Sequence, residues 1–206
     1  MTRLEGRTII ITGAAQGQGA AEARACVAEG ATVVATDVDD DLGAALAAEI
    51  GATYLHLDVA DDDQWAHVVD EATGRHGHIH GLVNNAGIFA AQTIADGDLE
   101  TTRRIWEVNQ LGTWTGMRRV VPSMTAAGGG SIVNISSIAA MGGYPAAAYG
   151  ASKWAVRGMT KRCSIVPCSR SRISAAPVSR IAIMVTLSII SMTLVNQELV
   201  RLGLKA

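Results

Sequence analysis

The chain has 206 residues, of which 49% are apolar, 17% are charged and 4% are aromatic. This length and this apolar share suffice for one domain with a sizeable core, and they exclude a disordered tail protein. The formal net charge of −2 argues against a nucleic-acid partner, because binding to a phosphate backbone usually needs a concentrated basic surface.

Cysteine content and hydropathy bear on the cellular compartment. The three cysteines are an odd number without metal-ligand spacing, which argues against a disulfide framework and for a reducing, cytoplasmic compartment. The N-terminus has no apolar signal core. The longest uncharged stretch near the end, 181–197, has 17 residues and contains several Ser and Thr, which is short and polar for a membrane span. We therefore expect no membrane partner.

Short β-branched runs alternate with helical patterns along most of the chain. In chain order, the sequence predicts strands at 8–12, 31–37, 54–57, 79–83 and 131–135, with helices at 19–29, 41–50, from 61 onward, 98–109 and 111–127. This alternation is typical of a parallel sheet covered by helices on both faces. The predicted fold class is α/β, a single-domain, doubly wound parallel sheet of the Rossmann type.

A glycine-rich turn follows the first predicted strand and precedes a helix. Gly13, Gly17 and Gly19 let the backbone turn sharply and approach a diphosphate, which the free N–H groups of the helix N-terminus can bind. Asp37 ends the second strand, where a carboxylate accepts hydrogen bonds from adenosine ribose hydroxyls and repels a 2′-phosphate. The pattern favours NAD over NADP, and the alternative is an ordinary turn with an unrelated acidic residue.

A second group of polar residues lies after the fifth predicted strand. Tyr149 and Lys153 are four residues apart, so a helix places them on one face. An ammonium group near a tyrosine stabilises the phenolate, which suits proton exchange closer to neutral pH. Ser136 and Ser137 follow the strand itself, at the edge where open parallel sheets bind ligands. These residues predict acid–base chemistry beside the dinucleotide turn.

With these motifs, the sequence resembles the classical short-chain dehydrogenase/reductase family. The resemblance covers residues 1 to about 161. It rests on motifs in the family's order, namely Thr12-Gly-(x)3-Gly17-x-Gly19, Asn84-Asn85-Ala86-Gly87, Asn109, Ser137 and Tyr149-(x)3-Lys153. Residues 152–158 also resemble the hydroxysteroid dehydrogenase branch of the 3α(20β) type.

The resemblance implies an NAD-dependent oxidoreductase that interconverts a secondary alcohol and a ketone, with a hydroxysteroid or a similar hydrophobic substrate. Tyr149 would be the general acid/base, Lys153 would tune it and hold the nicotinamide ribose, and Ser137 would hydrogen-bond the substrate oxygen. Asn109 would support a water that links Lys153 to solvent. The resemblance also implies a homotetramer. The implied cofactor-binding residues are Gly13, Gln16, Gly17, Gln18, Gly19, Asp37, Asp58, Val59, Asn85, Ala86, Gly87, Tyr149 and Lys153.

The identity of the catalytic serine has two candidates. Ser137 lies 12 positions before Tyr149, one fewer than the family usually has, whereas Ser136 lies 13 positions before it. The Asn-Ile-Ser-Ser pattern favours Ser137. Geometry rather than sequence position decides such roles, so both serines stay candidates at this point.

The last segment departs from the family's pattern. Residues 1–153 carry a net charge of −9 and residues 154–206 one of +7, and the chain has no Pro-Gly turn. We interpret 1–161 as the dinucleotide-binding core and 162–206 as an atypical tail, which arises from a changed reading frame near residue 162 or from natural divergence. We expect the family's sixth and seventh strands to be lost and the fold to be incomplete at its C-terminal end.

Two further alternatives follow from the sequence. His76, His78 and His80 alternate along one segment and could converge on a metal, although a solvated loop is the favoured interpretation. The alternative function is a non-catalytic dinucleotide-binding or subunit-partner protein, because the region that usually forms the substrate loop is missing or altered.

Overall fold

The computed structural model describes residues 2–162 and 180–184. The described strands all run parallel in one sheet of order β3-β2-β1-β4-β5-β6. The strands are β1 (Thr8–Thr12), β2 (Thr32–Asp37), β3 (Thr53–His56), β4 (Gly81–Asn84), β5 (Ser131–Ile135) and β6 (Arg180–Met184). The helices are α1 (Gly17–Ala28), α2 (Asp40–Ile50), α3 (Asp62–His76), α4 (Leu99–Trp106), α5 (Thr113–Ala126) and α6 (Ala147–Arg162). This topology confirms the predicted Rossmann-type α/β fold.

The core consists of two apolar layers, one on each face of the sheet. Because side chains alternate along a strand, Ile9 and Ile11 of β1 pack with α1 and α2, whereas Ile10 packs with α3 and α5. Trp65 of α3 is fully buried in the second layer, and its indole donates a hydrogen bond of 3.0 Å to Val59 O. Helices therefore cover both faces of the strands that carry the glycine turn and the polar residues after β5.

Aspartates begin three of the helices. Asp39, Asp61 and Asp98 each accept a hydrogen bond from a backbone N–H in the first turn of α2, α3 and α4. Gly51, with a φ of +70°, ends α2 in the left-handed conformation that glycine adopts most readily. These local signals explain why the helix starts follow the sequence prediction closely.

Several boundaries differ from the prediction. The fourth strand begins at Gly81 rather than 79, and α1 begins at Gly17 rather than 19. The predicted helices 98–109 and 111–127 form one continuous helical run, in which a π-helical turn at Glu107–Gly112 joins α4 to α5. The sequence predicts two helices that are separated at residue 110, whereas in the structure the helix continues through one widened turn.

The expectation that the sixth strand is lost is also wrong. Residues Arg180–Met184 form β6, which pairs in parallel with all of β5, from Ser131 to Ile135. A strand at this position completes the 3-2-1-4-5-6 order of a doubly wound sheet. The rest of the proposed tail, including the expected loss of a seventh strand and the reading-frame hypothesis, falls at 163–179 and 185–206, outside the described residues.

Among the described helices, none is both long enough and apolar enough to cross a membrane.

Candidate functional site

The glycine turn lies at the carboxyl end of β1, where the strand order reverses between β1 and β4. Gly13 and Gly17 have φ values of +64° and +58°, a region that other residues adopt rarely. A Cβ on Gly19 would lie 2.2 Å from Gly13 O and 2.6 Å from Asn85 Nδ2. Only glycine therefore fits at position 19, whereas a Cβ on Gly17 would meet no atom within 4 Å. The turn leaves open space before the N-terminus of α1.

Thr12 and Asn85 join this turn to the segment after β4. Thr12 Oγ1 accepts hydrogen bonds from Asn85 N at 3.1 Å and from Ala86 N at 3.0 Å. Asn85 Nδ2 donates to Thr12 O and Gly13 O, both at 3.0 Å. The sequence analysis gave Thr12 no role of its own, and its position between a strand and a glycine turn was the available signal. The network brings Gly87 and Ala86 to the same sheet edge as the turn.

Asp37 lies at the end of β2, as the sequence predicts, and its carboxylate is partly buried. Its Oδ2 accepts a hydrogen bond of 2.9 Å from Ala15 N, within the glycine turn. Its Oδ1 accepts from Val38 N at 2.8 Å and Asp39 N at 3.1 Å. These bonds hold a negative charge beside the turn.

Asp58 and Val59 follow β3 at the same edge. Burial opposes ionisation of Asp58, but the Ala60 N–H and the Arg104 guanidinium outweigh it and hold its pKa below the usual value. Arg104 Nη2 lies 2.7 Å from Asp58 Oδ2, a pairing that the sequence analysis did not anticipate because the residues are far apart in the chain. Val59 is buried against Gly112, where a Cβ would lie 2.6 Å from Val59 Cγ2.

The two predicted glutamines are located at the start of α1. Gln16 is the N-cap residue of the helix and is exposed, and its side chain makes no capping hydrogen bond. Gln18 Nε2 donates a hydrogen bond of 2.8 Å to Glu22 Oε1, one turn further along α1. Gln16 thus borders the open space before the helix.

Lys153 extends from α6 toward the end of β5. Its ammonium donates a hydrogen bond of 3.0 Å to Ile135 O and lies 5.7 Å from the centre of the Tyr149 ring. The side chain is 5% exposed, and burial lowers the pKa of Lys153 to about 8. The predicted helical face therefore brings Lys153 and Tyr149 together.

The two serine candidates differ in their hydrogen bonds. Ser136 Oγ is buried and donates to Lys153 O at 3.0 Å. Ser137 has extended backbone and begins a short 3₁₀ helix, Ile138–Ala140, where its Oγ accepts from Ala139 N at 3.2 Å. The Ser136 hydroxyl therefore donates its proton to the backbone of α6. The Ser137 hydroxyl has no protein acceptor for its proton among the described residues.

Asn109 occupies the π-helical turn between α4 and α5 and is fully buried. Its side chain accepts from Ile88 N at 2.8 Å and donates to Ile88 O at 2.9 Å, so it holds the segment after β4. It also donates to Ser152 Oγ at 3.1 Å, and Ser152 Oγ donates to Tyr149 O at 2.7 Å. A Cβ on Gly87 would lie 3.3 Å from both Asn109 Oδ1 and Lys153 Nζ, so a larger residue at position 87 would crowd both groups. The sequence analysis missed Ser152.

Tyr149 is partly buried between two other aromatic rings. Phe89 meets it edge to face with ring centres 5.0 Å apart, and Tyr144 lies 6.1 Å away at a tilt of 54°. Tyr149 lies beside the Lys153 ammonium, Asn109 is joined to the Tyr149 backbone through Ser152, and Ser137 follows β5 at the carboxyl edge of the sheet. This edge therefore carries a phenol, a buried ammonium and a hydroxyl whose proton has no acceptor among the described residues.

The donor set at the sheet edge fits a dinucleotide. The turn offers positive-φ glycines, a close approach between Gly19 and Gly13, and a helix N-terminus for a diphosphate. Asp37 offers a carboxylate at the end of β2 for ribose hydroxyls.

The structure bears on the alternative of a metal site at His76, His78 and His80. His80 Nδ1 accepts a hydrogen bond of 3.2 Å from Thr8 N, which occupies that nitrogen. In the part of the chain that the structure describes, no three His, Cys, Asp or Glu residues are grouped so that they could hold a metal ion.

A family model and several known proteins match most of this chain. The model of the short chain dehydrogenase family matches residues 7–168. The 3-alpha-(or 20-beta)-hydroxysteroid dehydrogenase of Mycobacterium tuberculosis is 48% identical over 166 residues, which cover 79% of this chain and 64% of that protein. The chain thus spans less than two thirds of that relative's length.

Two other relatives act on cyclic alcohols by name. The trans-4-hydroxycyclohexanecarboxylate dehydrogenase of Sinomonas cyclohexanicum is 43% identical, with 77% of this chain and 66% of that protein covered. The cyclopentanol dehydrogenase of Comamonas testosteroni is 39% identical, with 80% and 68% covered. Because the family model matches most of the chain, including the glycine turn, Ser137, Tyr149 and Lys153, the chain belongs to the short chain dehydrogenase family.

Proposed function

We propose that the chain is an NAD-dependent oxidoreductase that interconverts a secondary alcohol and a ketone, with a hydroxysteroid or a similar hydrophobic substrate. The observation that carries the proposal is the grouping of Tyr149, Lys153, Ser137 and Asn109 beside the glycine turn. The relatives named as dehydrogenases of hydroxysteroids and cyclic alcohols support this substrate class.

The proposed mechanism assigns one task to each side chain. Tyr149 donates a proton to the ketone oxygen, or removes one from the alcohol, as general acid/base. Ser137 donates a hydrogen bond to the same oxygen and orients it. Lys153 stabilises the Tyr149 phenolate and would hold the nicotinamide ribose. When bound, the dinucleotide supplies or accepts the hydride.

Asn109 has a supporting task. Its side chain holds Ile88 and Ser152, so it keeps the β4 segment and α6 at a constant separation around Lys153. We propose that a water supported by Asn109 carries protons from Lys153 to solvent, as the family resemblance implies. Such a water would lie beside the buried ammonium.

The family uses NAD or NADP, and we propose NAD for this chain. The carboxylate of Asp37 supports this choice, because it would bind ribose hydroxyls and repel a 2′-phosphate. The remaining proposed cofactor contacts are Gly13, Gln16, Gly17, Gln18, Gly19, Asp58, Val59, Asn85, Ala86, Gly87, Tyr149 and Lys153.

The cofactor proposal is tested by titrating the purified chain with NADH and NADPH while nicotinamide fluorescence is recorded. We expect saturable binding that prefers NADH, and we expect Asp37→Ser to lower this preference by at least about tenfold. The Asp39→Ser variant changes a nearby acid and is the matched control. Preference for NADPH by the unmodified chain would contradict the assignment of Asp37.

The catalytic proposal is tested with Tyr149→Phe. Removal of the phenol hydroxyl should abolish turnover of cyclohexanol and of a 3α-hydroxysteroid, while NADH affinity stays within about twofold. Turnover retained by this variant would refute the assigned acid/base.

The alternative is a non-catalytic dinucleotide-binding or subunit-partner protein. The absence of a Pro-Gly turn from the sequence favours this alternative, because the family usually places that turn beside the nicotinamide. If the unmodified chain binds NADH but turns over no alcohol, this non-catalytic alternative is the correct one.

We also propose a cytoplasmic homotetramer. Three tryptophans on the helices, Trp106, Trp114 and Trp154, are between 42% and 50% exposed, which suits packing between subunits. Sedimentation equilibrium of the purified chain tests the assembly, and a monomer at micromolar concentration would exclude it.

A further inference from the structure

Phe89 and Tyr144 surround Tyr149 from two different loops. Phe89 belongs to the segment after β4 and Tyr144 to the segment after β5, and both rings contact the Tyr149 ring. Their exposed fractions are 56% and 40%, which is high for rings of this size. Two aromatic surfaces therefore border the side chain to which we assign the proton transfer.

The same two loops carry no charge. No Asp, Glu, Lys, Arg or His occurs from 81 to 95 or from 120 to 152. The nearest described cations in α6 already have partners: Lys153 donates to Ile135 O, and Arg157 donates to Ala140 O at 2.5 Å. Ile138 and Met141, in the loop after β5, add exposed apolar surface. Within these two loops and α6, a carboxylate placed on this surface would therefore meet no cation that lacks a partner.

We propose that Phe89 and Tyr144 form the substrate-binding surface that selects an uncharged alicyclic alcohol or ketone and rejects an anionic one. Flat aromatic faces contact the CH₂ groups of an alicyclic ring over a large area, and the carbinol carbon then lies toward Tyr149. Phe89 and Tyr144 are specificity residues in this assignment, whereas proton transfer belongs to Tyr149. The inference rests on the proposed function for the reaction that the bound substrate undergoes. The binding surface itself does not depend on that reaction.

The kinetic test compares cyclohexanol, 4-hydroxycyclohexanecarboxylate and propan-2-ol as substrates of the full chain with NAD. Phe89→Ala and Tyr144→Ala should each raise KM for cyclohexanol by about tenfold, with kcat and KM for propan-2-ol changed less than about twofold. Phe89→Tyr and Tyr144→Phe keep the aromatic faces, so their KM for cyclohexanol should lie much nearer that of the unmodified chain than that of the alanine variants. The control is Leu42→Ala, which removes an equally exposed apolar side chain from α2.

A binding test separates this inference from the proposed function. Cyclohexanone binding to Tyr149→Phe in the presence of NADH is measured by calorimetry, with and without the Phe89→Ala and Tyr144→Ala changes. Binding that weakens by about tenfold in both supports the inference even if the unmodified chain turns over no alcohol. Three results would overturn it. They are unchanged KM and unchanged cyclohexanone affinity in both alanine variants, a preference for 4-hydroxycyclohexanecarboxylate over cyclohexanol, and no binding of cyclohexanone.

Discussion

Lys153 is an ammonium group that the fold withdraws from water. Its side chain is 5% exposed, and its ammonium donates a hydrogen bond to Ile135 O. Burial lowers the pKa of Lys153 from 10.5 to about 8. The ammonium still carries its charge near neutral pH, and the burial of that charge costs folding free energy. The position of this charge next to Tyr149 supports a functional rather than a stabilising role.

The Lys153→Met variant tests this cost. The folded-state pKa lies below the unfolded value, so the contribution of Lys153 to stability is present above about pH 10.5 and is lost as the pH falls through about 8. At pH 7, removal of the buried charge should raise the free energy of unfolding of the variant by up to about 3 kcal/mol. Loss of the hydrogen bond to Ile135 O should lower it by about 1 kcal/mol. Urea denaturation at several pH values measures this.

The advantage of Lys153→Met should shrink as the pH rises to 10, and turnover should be lost at every pH. A stability difference that does not depend on pH would mean that Lys153 is solvated in the folded state.

Ser136 and Ser137 provide a second test at the residue scale. Ser137→Ala should lower kcat by about 10²-fold to 10⁴-fold, and loss of the hydrogen bond from Ala139 N should cost about 1 kcal/mol of stability. Ser136→Ala removes the hydrogen bond to Lys153 O and should cost about 1 kcal/mol of stability with kcat within about tenfold. The opposite pattern would assign the catalytic hydroxyl to Ser136.

At the scale of elements, the site depends on close contacts between the glycine turn and the segment after β4. Thr12 and Asn85 exchange hydrogen bonds across these segments, and Gly19 has no room for a Cβ. The π-helical turn performs a similar task between α4 and α5, because it positions Asn109 to hold Ile88 and Ser152.

Gly19→Ala tests the first of these contacts. Its Cβ would collide with Gly13 O and Asn85 Nδ2, so the turn must shift, and we expect NADH affinity to fall by at least about tenfold with a lower melting temperature. Gly74→Ala, in the exposed interior of α3, meets no atom within 4 Å and should instead stabilise the protein by about 0.5–1 kcal/mol. Unchanged NADH binding by Gly19→Ala would show that the turn does not contact the cofactor.

At the scale of the whole molecule, one buried carboxyl group on α1 affects global stability. Glu22 is 6% exposed, its Oε1 accepts from Gln18, and its Oε2 has no hydrogen-bond partner among the described residues. Burial raises the pKa of Glu22 to about 7. The neutral form is therefore favoured in the folded state, and the charged form opposes folding.

The stability contribution of the neutral Glu22 is present below about pH 4.5 and is lost as the pH rises through about 7. We expect Glu22→Gln to raise the free energy of unfolding at pH 8 by about 2–3 kcal/mol and to leave it unchanged near pH 4.5. Chemical denaturation of both proteins at these two pH values measures the effect. An equal gain in the free energy of unfolding at both pH values would mean that packing, rather than the buried charge, causes it.

Much of this molecule follows from its sequence alone. Glycines, strand-end aspartates and β-branched runs are local signals, so they predict the α/β order, the family and helix starts at 41, 61 and 98, each within one residue of the start that the structure has. The sequence also predicts that Tyr149 and Lys153 share a helical face, because that relation depends only on helical spacing.

Other features depend on residues that are distant in the chain, so only the tertiary structure decides them. The pairing of Asp58 with Arg104, the link from Asn109 through Ser152 to Tyr149, and the different hydrogen bonds of Ser136 and Ser137 need particular segments to pack together. The sixth strand is the largest example: residues 181–184 are an apolar run that suits a strand, but their pairing with β5, far earlier in the chain, is a tertiary contact. Burial has the same origin, since the lowered pKa of Lys153 and the raised pKa of Glu22 arise from the surrounding fold.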